Sequence, residues 1–227
     1  MEYYLMSNDT DEKIVGEEYP QCKGISSKMG LTYKWFDQPN SMTKLTNEDF
    51  PNFEPELIFE LEEKAILTDG VSPSNISAKG FLINQKVKDA FVQFNLMEHK
   101  YYPATLIVQN DKLQYYWVHF KGNEDYFLNN IDFKKSVFYI GNLARWKEAD
   151  IALNSIEEYK EARKNIGFKT INFEKLHLSN SFKKNPKDLF YIDSLLNDFI
   201  ISDTLRNKLQ VLSITGLRVS KPNFIIE

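Results

Sequence analysis

Apolar and polar positions along this chain recur with two periods. Val87, Ala90, Phe91 and Phe94 fall at i, i+3, i+4 and i+7, which is one face of a helix, and Asn84 stands where an N-cap is needed. Tyr101-Tyr102-Pro103 ends that helix, residues 105–108 read as a strand, and Asn110-Asp111 turns the chain into residues 112–121. There Tyr115, Trp117 and His119 alternate with Tyr116, Val118 and Phe120. Both faces are largely apolar, so a central strand covered on both sides is expected. Residues 3–6 and 57–61 read as shorter strands, and a further pair is expected around 126–128 and 137–140. A second helix starts at Ser155, which has capping-box spacing to Glu158, and stops at Asn165-Ile166-Gly167. Residues 168–178 read as mixed strand and 179–187 as a polar connector. Residues 16–55 read as irregular structure held by side chains such as Trp35 and Phe36.

The C-terminal segment repeats this pattern. Adding 118 to each number aligns Phe81-Leu82-Ile83 with Phe199-Ile200-Ile201 and the cap Asn84 with Ser202. The same offset pairs Val87 with Leu205, Phe91 with Leu209, Phe94 with Leu212, and Leu106-Ile107-Val108 with Phe224-Ile225-Ile226. Two ordinary capped helices would share this period by themselves; the matching apolar triplets at both ends favour a structural repeat over 81–108 and 199–226. The fold expected is α+β: a mixed or antiparallel sheet with two main helices packed on it. It forms a single domain over residues 1–227, with an irregular N-terminal part at 1–56 and the sheet-and-helix body at 57–227.

Composition narrows the function classes. At 227 residues and 42% hydrophobic, the chain can bury a sizeable core, which excludes a disordered tail or a disulfide-stapled mini-protein. Its apolar runs are too short to span a bilayer, and Met1–Met6 lacks the basic-then-apolar pattern of a signal peptide. The one cysteine, Cys22, fits a reducing cytoplasm. Net charge is −4, and the only arginines are the scattered Arg145, Arg163, Arg206 and Arg218, so no nucleic-acid partner is expected. The charge is locally uneven. Glu48, Asp49, Glu54, Glu56, Glu60, Glu62 and Glu63 follow one another with no lysine or arginine between them. Such a run is either a solvated strand face or a surface that attracts a basic protein.

No catalytic constellation stands out. Ser41-Met42-Thr43-Lys44 matches S-x-x-K, but no S-D-N or K-T-G follows and the segment reads as loop. His99, His119 and His177 are dispersed, and with one cysteine they give no zinc framework. The nine glycines form no phosphate loop. No cofactor is expected.

Two stretches resemble a known family. The first runs from Gly80-Phe81-Leu82-Ile83-Asn84 through the helix to Tyr101-Tyr102-Pro103, then Tyr115-Tyr116-Trp117-Val118 and the step Ile131-Asp132 to Ser136. The second is Phe199-Ile200-Ile201-Ser202-Asp203-Thr204-Leu205 with Ile214-Thr215-Gly216-Leu217. Across residues 80–226 this is similar to a family of bacterial immunity proteins from polymorphic toxin systems, the eleventh of its kind and long known only as a domain of unknown function. The resemblance implies a non-enzymatic cytoplasmic protein that binds and neutralises a cognate toxin encoded nearby. The acidic run, read from the charge pattern alone, makes Glu54, Glu56, Glu60, Glu62 and Glu63 the expected contact with a basic toxin. Two alternatives remain open: a ligand-binding or regulatory module, and an enzyme with a site near His119 and Tyr115.

Overall fold

The computed structural model describes residues 2–25, 38–122, 127–142, 146–192 and 198–227, and among these it forms fourteen strands and five helices. The class is α+β with sheet predominating, and the strands divide into three sheets. The six-stranded sheet has the order β2 (Cys22–Ile25), β3 (Ile58–Leu61), β6 (His99–Val108), β7 (Asp111–Phe120), β5 (Gly80–Ile83), β4 (Gly70–Val71). A second has the order β11 (Leu189–Phe190), β12 (Phe199–Ser202), β1 (Tyr3–Asn8), β13 (Leu217–Ser220). The third is β14 (Ile225–Ile226), β10 (Thr170–Leu176), β8 (Val137–Gly141), β9 (Lys147–Ile151). The helices are α1 (Glu12–Val15), α2 (Gln85–Phe91), α3 (Ile156–Asn165), α4 (Asn180–Lys184) and α5 (Asp203–Val211). Among the described residues no helix is long and apolar enough to cross a membrane.

The repeat is a structural one, and its logic is a split strand–helix–strand unit. In the first unit β5, α2 and β6 follow one another, and β7 lies between the two strands, antiparallel to both. In the second unit β12, α5 and β13 follow one another, and the strand between them is β1, from the other end of the chain. The register obeys the 118-residue offset on both flanks. Phe81 opposes Val118, which opposes Tyr101; Phe199 opposes Met6, which opposes Val219. Asn84 Oδ1 accepts from the Val87 N–H at 3.2 Å and Ser202 Oγ from the Leu205 N–H at 3.2 Å, so both caps work as expected. One turn later Lys88 sits 3.7 Å from the Tyr116 ring centroid and Arg206 4.3 Å from that of Tyr4, a cation–π pair in each unit from helix to middle strand.

Two aspartates tie the units together reciprocally. The carbonyl of Asp69 accepts the Asn84 N–H (2.8 Å), and that of Asp188 accepts the Ser202 N–H (2.9 Å). Each carboxylate also reaches the loop that follows the other unit's helix. Asp69 Oδ2 accepts from the Thr215 N–H at 2.9 Å, and Asp188 Oδ2 from the Asn95 N–H at 3.0 Å. Helices α2 and α5 lie against each other across this junction. Their buried faces, Val87, Ala90 and Phe91 on one and Leu205 and Leu209 on the other, enter the larger hydrophobic core.

Several expectations are corrected. The aligned triplet Phe224-Ile225-Ile226 does not continue β13 as Leu106-Ile107-Val108 continues β6. After Ser220 the chain passes Pro222, and β14 instead pairs with β10 in the third sheet. Tyr101-Tyr102-Pro103 does not end an element, because β6 runs unbroken from His99. Only β7 flanks Pro103, since β3 joins at Thr105, and a strand flanked on one side tolerates proline. Phe127 and Leu128 are helical rather than extended, and Tyr126 lies outside the described residues, as do Trp35, Phe36 and Arg145. The connector at 179–187 contains α4, capped by Ser179 and anchored by the buried Phe182. Residues 1–56 are less irregular than expected. They supply β1, the middle of a sheet, as well as α1 and β2, and Ser41 caps a helical turn at Met42–Lys44.

Candidate protein-binding surface

Strand alternation decides where the acidic run points. In and before β3, Leu57 and Phe59 turn inward to a second core built on Tyr102, Leu106, Tyr115 and Trp117. Glu56, Ile58 and Glu60 alternate with them and are only half-buried. Glu60 lies opposite Lys23 of β2 and Ile107 of β6. The chain leaves β3 with Glu62 donating its N–H to the Gln21 carbonyl (2.9 Å), and Glu63 is exposed in the following turn.

Glu60, Glu62 and Glu63 therefore line one cleft of about 490 Å³. Its apolar floor comes from Leu61, Leu67 and Val108. The cation in the cleft is Lys23, whose Nζ stands 3.4 Å from Glu60 Oε2 and 3.3 Å from Glu62 Oε2. Desolvation is the largest single influence and works against its charge, but the hydrogen bond and charge of Glu62 and those of Glu60 together outweigh it and hold the ammonium above its ordinary range. Of the five predicted contact residues the structure thus brings three together. Glu54 and Glu56 do not line the cleft: Glu54 is exposed ahead of the strand, and Glu56 is bridged to Ser41 at its far end.

Beside the cleft lies an apolar surface for which the sequence carries no signal. Ile14, Tyr19, Ile66 and Leu67 are 37%, 53%, 47% and 43% exposed. The segment carrying Ile14 and Tyr19 pairs with the one carrying Ile66 and Leu67. Gly16 bridges Ala65, and the Ile66 N–H donates to the Val15 carbonyl at 2.8 Å. Gly16 has φ +88°, and a Cβ there would meet the Lys64 carbonyl and stand 2.8 Å from the Ala65 Cα, so only glycine permits this approach. Gln21, fully buried, fixes the same loop, its Nε2 donating to the Ile66 carbonyl (2.7 Å) and to Thr68 Oγ1 (3.1 Å).

The alternative centre at His119 and Tyr115 is a packed interior. His119 is 0% exposed, with the Phe50 ring edge-on at 5.3 Å and the Tyr102 ring at 6.1 Å. Its Nε2 is 2.7 Å from the Thr46 carbonyl, which assigns the proton to that nitrogen. Burial lowers its pKa, and the Thr46 bond only partly offsets this. The Tyr115 hydroxyl donates to the Thr68 carbonyl (2.6 Å), and burial followed by the charge of Asp69 pushes its pKa up. Neither residue lines any of the described clefts. Cys22 is buried and donates to the Ser72 carbonyl, with its thiol pKa raised chiefly by desolvation, the opposite of an activated nucleophile. Among the described residues no three His, Cys, Asp or Glu side chains converge as a metal site.

No protein-family model matches the sequence, and no curated protein matches it significantly.

Proposed function

We propose that this chain is a non-enzymatic immunity protein that binds and neutralises a cognate bacterial toxin in the cytoplasm, and that the toxin presents a basic surface. The observation that supports this reading most is the convergence of Glu60, Glu62 and Glu63 on one cleft beside exposed apolar side chains. Apolar contact area with a charged rim is the usual anatomy of a specific protein interface. Neutralisation then needs no chemistry from this chain. It requires a surface that associates quickly and covers the toxin's working face. A cluster of carboxylates accelerates encounter with a basic partner, and the effect fades as salt screens it.

The test is direct. The protein and the product of the neighbouring gene are purified, their binding is measured by calorimetry, and cells expressing the neighbour are scored for rescue. Nanomolar binding with rescue is expected; neither binding nor rescue would refute the reading. Reversing Glu60, Glu62 and Glu63 to lysine should slow association markedly at low salt. An unchanged association rate would remove this surface from the interface.

A further inference from the structure

We infer that the cleft and the apolar patch beside it form one docking groove for a protein segment that carries an arginine or lysine next to an aliphatic or aromatic anchor, and that Lys23 is an internal stand-in for the partner's cation. The inference rests on the toxin-binding reading above and names the chemistry of the partner's contact.

Three features carry it. The first is charge complementarity. Three carboxylates face one ammonium in the cleft, and among the described residues no cation pairs with Glu63. On the adjoining segment the exposed Glu12, Glu17 and Glu18 outnumber the exposed Lys13, and Lys64 is paired to Glu17 at 2.9 Å. Phosphates and acidic surfaces are repelled by such a rim, and a basic segment is drawn to it.

The second is exposed apolar area at the cleft. Leu67, 43% exposed, lines it with Leu61 and Val108, and the exposed Ile66 precedes Leu67 in the segment that bridges to Gly16. A partner side chain seated there excludes water from the neighbouring ion pairs, which is how a central anchor with a charged rim gains its strength. The third is preorganisation. Gln21 and the Gly16–Ala65 bridge hold the patch-bearing loops before any partner arrives, so little ordering is left to oppose binding.

Lys23 makes the assignment testable in the direction of improvement. Its side chain is 32% exposed and those of Glu60 and Glu62 are 43% and 31%, so these ion pairs are weak enough to be exchanged. A guanidinium presents a rigid fork of donors to two carboxylates and outcompetes a flexible ammonium. Removing Lys23 therefore frees the site.

Lys23→Met and, as a second form that keeps polarity, Lys23→Gln are compared with the wild type, Glu60→Gln/Glu62→Gln and Leu67→Asp. Binding to the purified neighbouring gene product is measured at low and at physiological salt. Both Lys23 variants should bind about three- to tenfold more tightly at low salt, with the gain shrinking as salt rises. The glutamine pair should weaken binding mainly at low salt, and Leu67→Asp at both. If the neighbour binds the wild type but the Lys23 variants bind no better and Leu67→Asp no worse, the groove assignment is overturned while the toxin reading stands. If the neighbour binds no variant, the toxin reading fails and the groove is tested alone by titrating arginine amide while following the Leu67 and Val108 methyl resonances. Shifts that grow in Lys23→Met support the groove; absence of shifts overturns it.

Discussion

Replacing Asp69 by alanine removes the acceptor that fastens the second unit's loop to the first. Its Oδ2 accepts from the Thr215 N–H (2.9 Å) and from Thr215 Oγ1 (3.1 Å), its Oδ1 from Asn84 Nδ2 (2.8 Å), and Lys86 Nζ is 3.4 Å away. The Asp69 side chain is 14% exposed and Asn84 is half-buried, but Thr215 and Lys86 are exposed, so water reaches much of what the carboxylate leaves behind. Hydrogen bonds to a charged acceptor are worth about 1.5–3 kcal/mol each when buried. Discounting for partial exposure and for the coupling of the two Thr215 bonds, the loss should be about 2–4 kcal/mol. In a domain of this size that lowers Tm by roughly 5–15 °C.

The effect has a pH signature. Burial pushes the Asp69 carboxyl up, but the Thr215 and Asn84 bonds and the Lys86 charge outweigh it and hold the pKa below its ordinary value. A carboxylate with a depressed folded pKa contributes stability that is fully present above the unfolded value of about 3.9 and lost as pH falls through the folded value. The gap in Tm between wild type and Asp69→Ala, followed by circular dichroism, should be constant near neutrality and close below about pH 4. A loss under 1 kcal/mol, or a gap that widens toward acid, would refute the account. Asp188→Ala, which removes the bonds to Ser202 Oγ (2.7 Å) and the Asn95 N–H (3.0 Å), should cost a similar amount.

Other expectations concern the interior. His119→Gln keeps a donor for the Thr46 carbonyl but no titrating group. Because burial lowers the pKa of His119, wild-type stability should fall as pH drops below about 6.5, and urea titrations of the variant should lack that slope. Asn84→Ala and Ser202→Ala each remove an N-cap together with the bond that the side chain donates to Asp69 or Asp188, and should each cost about 2–3 kcal/mol in urea unfolding, a near-equal pair if the two units are as alike as their registers. Gly80→Ala would put a Cβ against the Val118 carbonyl and 2.6 Å from Trp117 Cζ2, so a Tm loss of several degrees is expected; an unchanged Tm would place the indole elsewhere. Deleting residues 1–8 removes β1 from between β12 and β13 and should abolish the cooperative transition in calorimetry.

Much of the local structure was legible because the forces behind it act over a few residues. The caps at Asn84, Ser155 and Ser202, the helix faces they begin and the alternation of β7 follow from backbone periodicity and from side chains that bond three residues ahead. The repeat was legible for the same reason, through the apolar triplets that open the two units and the caps that follow them, whereas the closing triplet Phe224-Ile225-Ile226 belongs to another sheet. Where polarity was uninformative, local reading failed. The five residues of β9, Lys147–Ile151, are nearly all exposed and show no alternation, and α4 hides one buried phenylalanine in a polar stretch.

Tertiary structure alone decided which distant strand completes which unit. Nothing near Tyr3–Asn8 tells that the first strand inserts between two strands of the C-terminal unit, because strand pairing is chosen by register and burial across the whole chain. The candidate site shows the same division. Sequence reading located an acidic run but not its geometry. Alternation in β3 and the pairing of Glu60 with Lys23 brought three of its carboxylates to one cleft that the exposed Leu67 also lines, and the bridge from Gly16 to Ala65 joined a second segment to that loop. Charge and periodicity are properties of neighbours along the chain, whereas a surface belongs to residues that only folding brings together.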